Sequence, residues 1–161
     1  MFYFDVKLSG FCWGSYMVVK LSANPLFKAG VSMHPSHPKI CEQIQENEES
    51  LLKDIKCPQL FLSASNDGAS VKLGGLGKQV LGDALEIVEF PDMLHGWSIR
   101  GNLSDPMVER DVKKAFNLAL AFMNKSFINY DSNGSKSNDI ALARYLSIVL
   151  SALLPLSICL R

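Results

Sequence analysis

At 161 residues the chain is one domain's worth of protein. Apolar residues make up 48% of it, enough for a real core, and a formal net charge of zero leaves no basic face for a nucleic-acid partner. Its 4 cysteines (Cys12, Cys41, Cys57 and Cys159) have neither metal nor disulfide spacing. With no signal peptide ahead of them, they read as thiols in a reducing, cytoplasmic compartment.

In chain order, Phe2, Phe4, Val6 and Leu8 alternate as in a strand. The strand leads into Gly10-Phe11-Cys12-Trp13-Gly14, and residues 15–21 suit a helix. Gly-x-Cys-x-Gly between a strand and a helix has the form of a nucleophile elbow with Cys in place of Ser. The glycines let strand and helix pass close together. The tight turn puts Cys12 at a helix N-terminus, where unpaired N–H groups and the dipole favour a thiolate. The main-chain N–H of Trp13 then points where an oxyanion forms. On these five residues alone, Cys12 reads more readily as a small buried apolar residue.

Asn24-Pro25 is a break, and residues 28–34 form a short strand. Pro35-Ser36-His37-Pro38 argues against regular structure beyond it. His34 and His37 have no acidic or Cys partner at ligand spacing, so they read as loop residues within reach of a substrate rather than metal ligands. Residues 41–56 are polar and acid-rich, an exposed helix or loop with Ser50 as a cap. Residues 59–65 are a strand, closed by the turn Asn66-Asp67-Gly68. Gly74-Gly75-Leu76-Gly77-Lys78 resembles a phosphate loop but fails the pattern. Lys72 and Gln79 stand where Gly and Ser or Thr are required, so these glycines are loop and helix-start residues.

Residues 84–90 are the last strand before His95-Gly96-Trp97. A long helix is expected from about 106 to 127, because Val108, Val112, Ala115, Phe116, Ala119, Leu120 and Met123 follow helical spacing. Pro106 suits its first turn and Asp105 its cap. This domain, residues 1–128, is followed by a Ser/Asn/Gly/Asp linker at 129–139 and an apolar tail at 140–161. If helical, residues 140–160 rise about 30 Å, enough to anchor the chain in a membrane, with Arg144 snorkelling at one end. A lipid-anchor signal and an ordinary packed helix are the other readings of the tail. Asn102, Asn124 and Asn133 lie in glycosylation sequons, which mean nothing for a domain facing the cytosol.

Strands alternating with helical segments make the fold class α/β, with a mostly parallel sheet of about four strands flanked by helices. In such sheets function sits at the carboxyl ends of the strands. Cys12, Asp67 and His95 each follow a strand, in the order nucleophile, acid, histidine of the α/β-hydrolases. Asp67 also suits a plain turn beside Gly68, and His95 a loop before Gly96. As a triad, His95 accepts the thiol proton, Asp67 holds the imidazole tautomer, and Cys12 attacks an ester or lactone carbonyl. The thioester so formed is then hydrolysed by water. Ser15 as a serine nucleophile is a weaker alternative, since the glycines are centred on Cys12.

These pieces resemble the dienelactone hydrolase family (carboxymethylenebutenolidases), especially its eukaryotic members. The resemblance rests on Gly10-Phe11-Cys12-Trp13-Gly14, on Val31-Ser32-Met33-His34-Pro35-Ser36, on Pro58 to Asp67, and on His95-Gly96-Trp97 followed by Arg100. It covers about residues 5–127 and implies a partial α/β-hydrolase fold. It also implies Cys12, Asp67 and His95 as the catalytic residues, a small-molecule ester or lactone substrate, and no cofactor. The family has further strands before the elbow, a loop giving the second oxyanion N–H, and an acidic partner for the Cys. None precedes Gly10 here, and Ser15 stands where the family often has Gly. The alternative expectation is therefore a truncated, catalytically impaired isoform or fragment that binds or is tethered to a membrane.

Overall fold

The computed structural model describes residues 6–128 together with Ile148–Val149. Four parallel strands form the body of the sheet: β1 (Val6–Phe11), β2 (Phe27–Met33), β3 (Gln59–Ala64) and β4 (Leu85–Phe90). They lie in the order β4-β3-β2-β1, each strand beside its predecessor in the chain. Parallel neighbours need a crossover between them, and helices supply it. These are α1 (Gly14–Leu21), α2 (His37–Ile44), α3 (Glu48–Lys53) and α4 (Leu76–Leu81). The short α5 (Trp97–Arg100) and the long α6 (Pro106–Ile128) follow β4.

Side chains alternate across the sheet and so divide the core in two. Leu60, Leu62 and Val88 face a layer with Trp97, Ala115, Ala119 and Phe122. Phe61 and Ile87 face the opposite layer, with Val19, Cys41, Leu51 and Leu52. All six residues of β3 are buried, as expected for a strand covered on both faces. Removing the Phe61 side chain from water stabilises the fold by roughly 1.5–3 kcal/mol.

Several local expectations change in three dimensions. The Pro-Ser-His-Pro stretch does not forbid a helix. Pro38 lies in the first turn of α2, where a missing N–H is harmless. The acid-rich segment is two helices with a buried face, Ile40, Cys41, Leu51 and Leu52. The cap of α3 is Asn47 rather than Ser50; Asn47 Oδ1 accepts from the Ser50 N–H at 2.8 Å. Asp105 caps α6 as expected, accepting from the Met107 N–H at 2.9 Å.

The helix expected over 140–160 lies outside the described residues except at Ile148–Val149. These two form a short parallel strand, β5, against Leu8 and Ser9 of β1, which interrupts a continuous helix. Among the described residues no helix is long and apolar enough to cross a membrane. The linker at 129–139 also lies outside them.

Candidate active site

The strands run in step, so their carboxyl ends form one rim. Phe11 pairs with Met33, Met33 with Leu62, and Ala64 with Phe90. The residues just beyond these pairs meet above the sheet.

The elbow is built as its glycines demand. A Cβ on Gly10 would lie 2.5 Å from the Gly14 carbonyl oxygen, so only glycine admits this approach of β1 to α1. Cys12 has φ +51°, a left-handed conformation that is strained for a residue with a side chain. It is held there from three directions. Its N–H donates to the Met33 carbonyl at 3.1 Å. Its carbonyl accepts from the Ser15 N–H at 3.1 Å and from Ser15 Oγ at 2.6 Å. The Ser36 N–H reaches the same carbonyl at 3.3 Å and Ser15 Oγ at 2.9 Å. Ser15 is therefore a buried clamp between the elbow and the loop after β2, and its hydroxyl is engaged with the backbone. Trp13 stands at the N-cap of α1 with helical φ and ψ.

Asp67 and His95 come together across the ends of β3 and β4. His95 Nδ1 lies 2.6 Å from Asp67 Oδ1, and the other carboxylate oxygen accepts from the Ala64 N–H at 2.7 Å. The Asp67 carboxylate is only 1% exposed and the imidazole 21%. Asn66 Oδ1 accepts from the His95 N–H at 2.7 Å, which fixes the loop that carries the ring. Burial pushes the His95 pKa down, but hydrogen bonds to Asp67 and Cys12 outweigh it and raise the imidazole to about 9. The structure thus brings Cys12, His95 and Asp67 into one hydrogen-bonded line.

His34 and His37 are completely buried and so do not face a substrate. His34 packs edge-on against His95 with ring centroids 4.9 Å apart, and its Nε2 lies 2.8 Å from Ser98 Oγ. Burial, with His95 beside it, pushes the His34 pKa to about 3, so this ring stays neutral. His37 lies 3.5 Å from Glu48 and against the Phe61 ring. No group of residues suited to a metal ion occurs among the described residues.

Two residues escaped the sequence reading. One is Asn66, an unremarkable turn former in sequence. The other is Ser36, whose hydroxyl lies 3.5 Å from Cys12 Sγ and 3.3 Å from His95 Nε2. Beside the His95 loop a cavity of about 310 Å³ is lined by Met93, His95, Trp97, Arg100, Met107 and Val108, among others.

A family model described as "Dienelactone hydrolase family" matches residues 4–127. The chain belongs to the dienelactone hydrolase family. An uncharacterized AIM2 family protein of Schizosaccharomyces pombe is 32% identical over 101 residues, covering 60% of this chain and 37% of that protein. The chain thus spans little more than a third of that curated relative. Among solved structures, Pyrococcus horikoshii acylaminoacyl peptidase matches with a TM-score of 0.59 and 19% identity, covering 83% of this chain and 26% of the peptidase. An acylaminoacyl peptidase in complex with a chloromethyl ketone gives 0.55 and 20%, over 76% of this chain and 24% of that one. These likenesses place the fold among the α/β-hydrolases. The membrane association expected of the tail gains no support from them.

Proposed function

We propose that this dienelactone hydrolase family chain carries a Cys-His-Asp hydrolytic site for carboxylic ester or lactone bonds. The observation that carries the reading is the line from Asp67 through His95 to Cys12 on one rim of the sheet. A positively charged imidazole beside the sulfur favours the thiolate, the reactive form. Cys12 Sγ would add to the carbonyl carbon, and the developing oxyanion would meet the Trp13 N–H at the start of α1. Collapse breaks the carbon–oxygen bond of the ester, and His95 gives its proton to the leaving oxygen. Water, deprotonated by His95, then cleaves the thioester, releasing the acid and restoring the thiol. Asp67 holds the Nδ1–H tautomer and balances the imidazolium throughout. No step calls for a cofactor or metal.

A thiol-reactive ester probe is expected to label Cys12, and Cys12→Ala should reduce labelling and p-nitrophenyl acetate hydrolysis to background. Undiminished labelling in that variant would remove the proposal. A second reading is a binding protein with little turnover. It is favoured by the edge of β1, which among the described residues is paired only at Leu8 and Ser9. Such an edge invites a further strand. Folded protein that is labelled at Cys12 but does not turn over the ester would support it.

A further inference from the structure

Ser36 is the N-cap residue of α2, yet its side chain makes no capping bond. Serine is favoured at this position because its hydroxyl satisfies a free helix N–H, an interaction typically worth about 1 kcal/mol. Here that stabilisation is forgone. The hydroxyl turns the other way, donating to Cys12 Sγ at 3.5 Å and lying 3.3 Å from His95 Nε2. The main chain of the residue is pinned separately, through its N–H to Cys12 and Ser15. A hydroxyl has one proton to give and two lone pairs to offer. Beside an imidazolium and a thiolate, the Ser36 proton goes to the sulfur and a lone pair of Oγ faces the His95 Nε2–H, which also bonds the sulfur directly.

We propose that Ser36 is a positioning residue of this site, whose hydroxyl bridges His95 and Cys12 and stabilises the thiolate before substrate binds. The proposal rests on the reading of Cys12 as nucleophile and adds a fourth member that the elbow pattern does not specify. When the thiol ionises through this bridge, the Cys12 proton passes to Ser36 Oγ as the hydroxyl proton passes to His95 Nε2. The serine is unchanged, and one proton has moved from sulfur to nitrogen. A hydrogen bond to a charged acceptor is stronger than one to a neutral acceptor, so the bridge favours the ionised pair over the neutral one.

The test is the pH dependence of Cys12 alkylation by iodoacetamide in the full chain, read by mass spectrometry at that peptide. It does not depend on turnover. In Ser36→Ala the midpoint should rise by about one pH unit, a roughly tenfold loss of thiolate below it. Ser36→Thr, which keeps the hydroxyl, should restore the original midpoint. The Ala variant is expected to fold because the lost side chain caps nothing, and Ser36→Gly serves in its place if it does not. An unchanged midpoint overturns the proposal, as does a shift that Thr fails to reverse. Failure of the underlying nucleophile reading looks different: Cys12 would then titrate as an ordinary thiol in the wild type and be indifferent to His95→Ala.

Discussion

Replacing Asp67 by Asn tests the electrostatics of the site directly. In the native chain the His95 imidazole is held at about 9, against an ordinary value near 6.5. Two units below its pKa, at pH 7, only about 1% of the ring is neutral. Burial opposes this charge, and Asp67 at 2.6 Å is the first of the groups that overcome it. Loss of an adjacent opposite charge moves a pKa by about 1–3 units, so His95 in Asp67→Asn should titrate between about 6 and 8. The neutral tautomer changes too. Asn can still accept from the Ala64 N–H, but it then turns its NH2 toward Nδ1. A donor facing Nδ1 drives the proton to Nε2, the side that must accept from the thiol. The stability effect has a definite sign. A raised pKa means that the Asp67–His95 pair contributes fully below about pH 6.5 and progressively loses that contribution as pH rises through about 9. The assay is an NMR titration of the imidazole Cε1–H signals, with His95 assigned by its loss in His95→Asn. His34 gives an internal contrast, since burial keeps it neutral across pH 5–9. A wild-type His95 midpoint near 6.5, or one unmoved by Asp67→Asn, would refute the reasoning.

Two further changes separate what holds the elbow from what reacts there. Gly10→Ala places a Cβ 2.5 Å from a backbone oxygen and 2.8 Å from the buried Val18, so overpacking should destabilise the fold by about 3 kcal/mol. Gly68→Ala, whose nearest neighbours lie 3.8 Å away, should stay within about 0.5 kcal/mol. Urea midpoints compare the two, and equal effects would show that the close approach at Gly10 is unimportant. Ser15→Ala removes a buried hydroxyl that donates to the Cys12 carbonyl and accepts from the Ser36 N–H. It should lower stability by about 1–2 kcal/mol while leaving Cys12 labelling in place. Loss of Cys12 labelling in a folded Ser15→Ala protein would instead show that this clamp is needed to present the thiol.

The parts of the candidate site legible in the sequence are those set by local chain chemistry. Cys12 is flagged by its two glycines, Asp67 by the turn after an apolar run, and His95 by its place beyond the last strand. Each is fixed by its own strand end, so reading the strands locates the residues. Ser36 is different. Its relation to Cys12 comes from the register of β1 on β2, which puts Phe11 opposite Met33 and so brings together turns 24 residues apart. No local pattern encodes that register. The same stretch also hid α2, because two prolines in four residues read as a break although one of them suits a first helical turn. His34 departs from expectation for the converse reason. A histidine at a strand end suggests access, but α5 brings Ser98 over it and leaves it wholly buried.

Strain at this rim is paired, and the pairing bears on how the site keeps its shape. Cys12 and His34 end adjacent strands, and both have positive φ, at +51° and +39°. Each such conformation costs on the order of 1–3 kcal/mol and persists only where surrounding bonds over-determine it. Those bonds run strand to strand. The Cys12 N–H donates to the Met33 carbonyl and the His34 N–H to that of Leu62, while the Ser15 hydroxyl ties the elbow to Ser36. Every one of these partners lies between residues 12 and 62. These contacts, within the elbow and the next two strands, hold the backbone that carries the sulfur toward His95. Among the described residues, β5 supplies none of these bonds. If turnover proves weak, the deficit should lie in what surrounds the substrate, above all the oxyanion contacts, while Cys12 keeps the thiolate reactivity that its own neighbours impose.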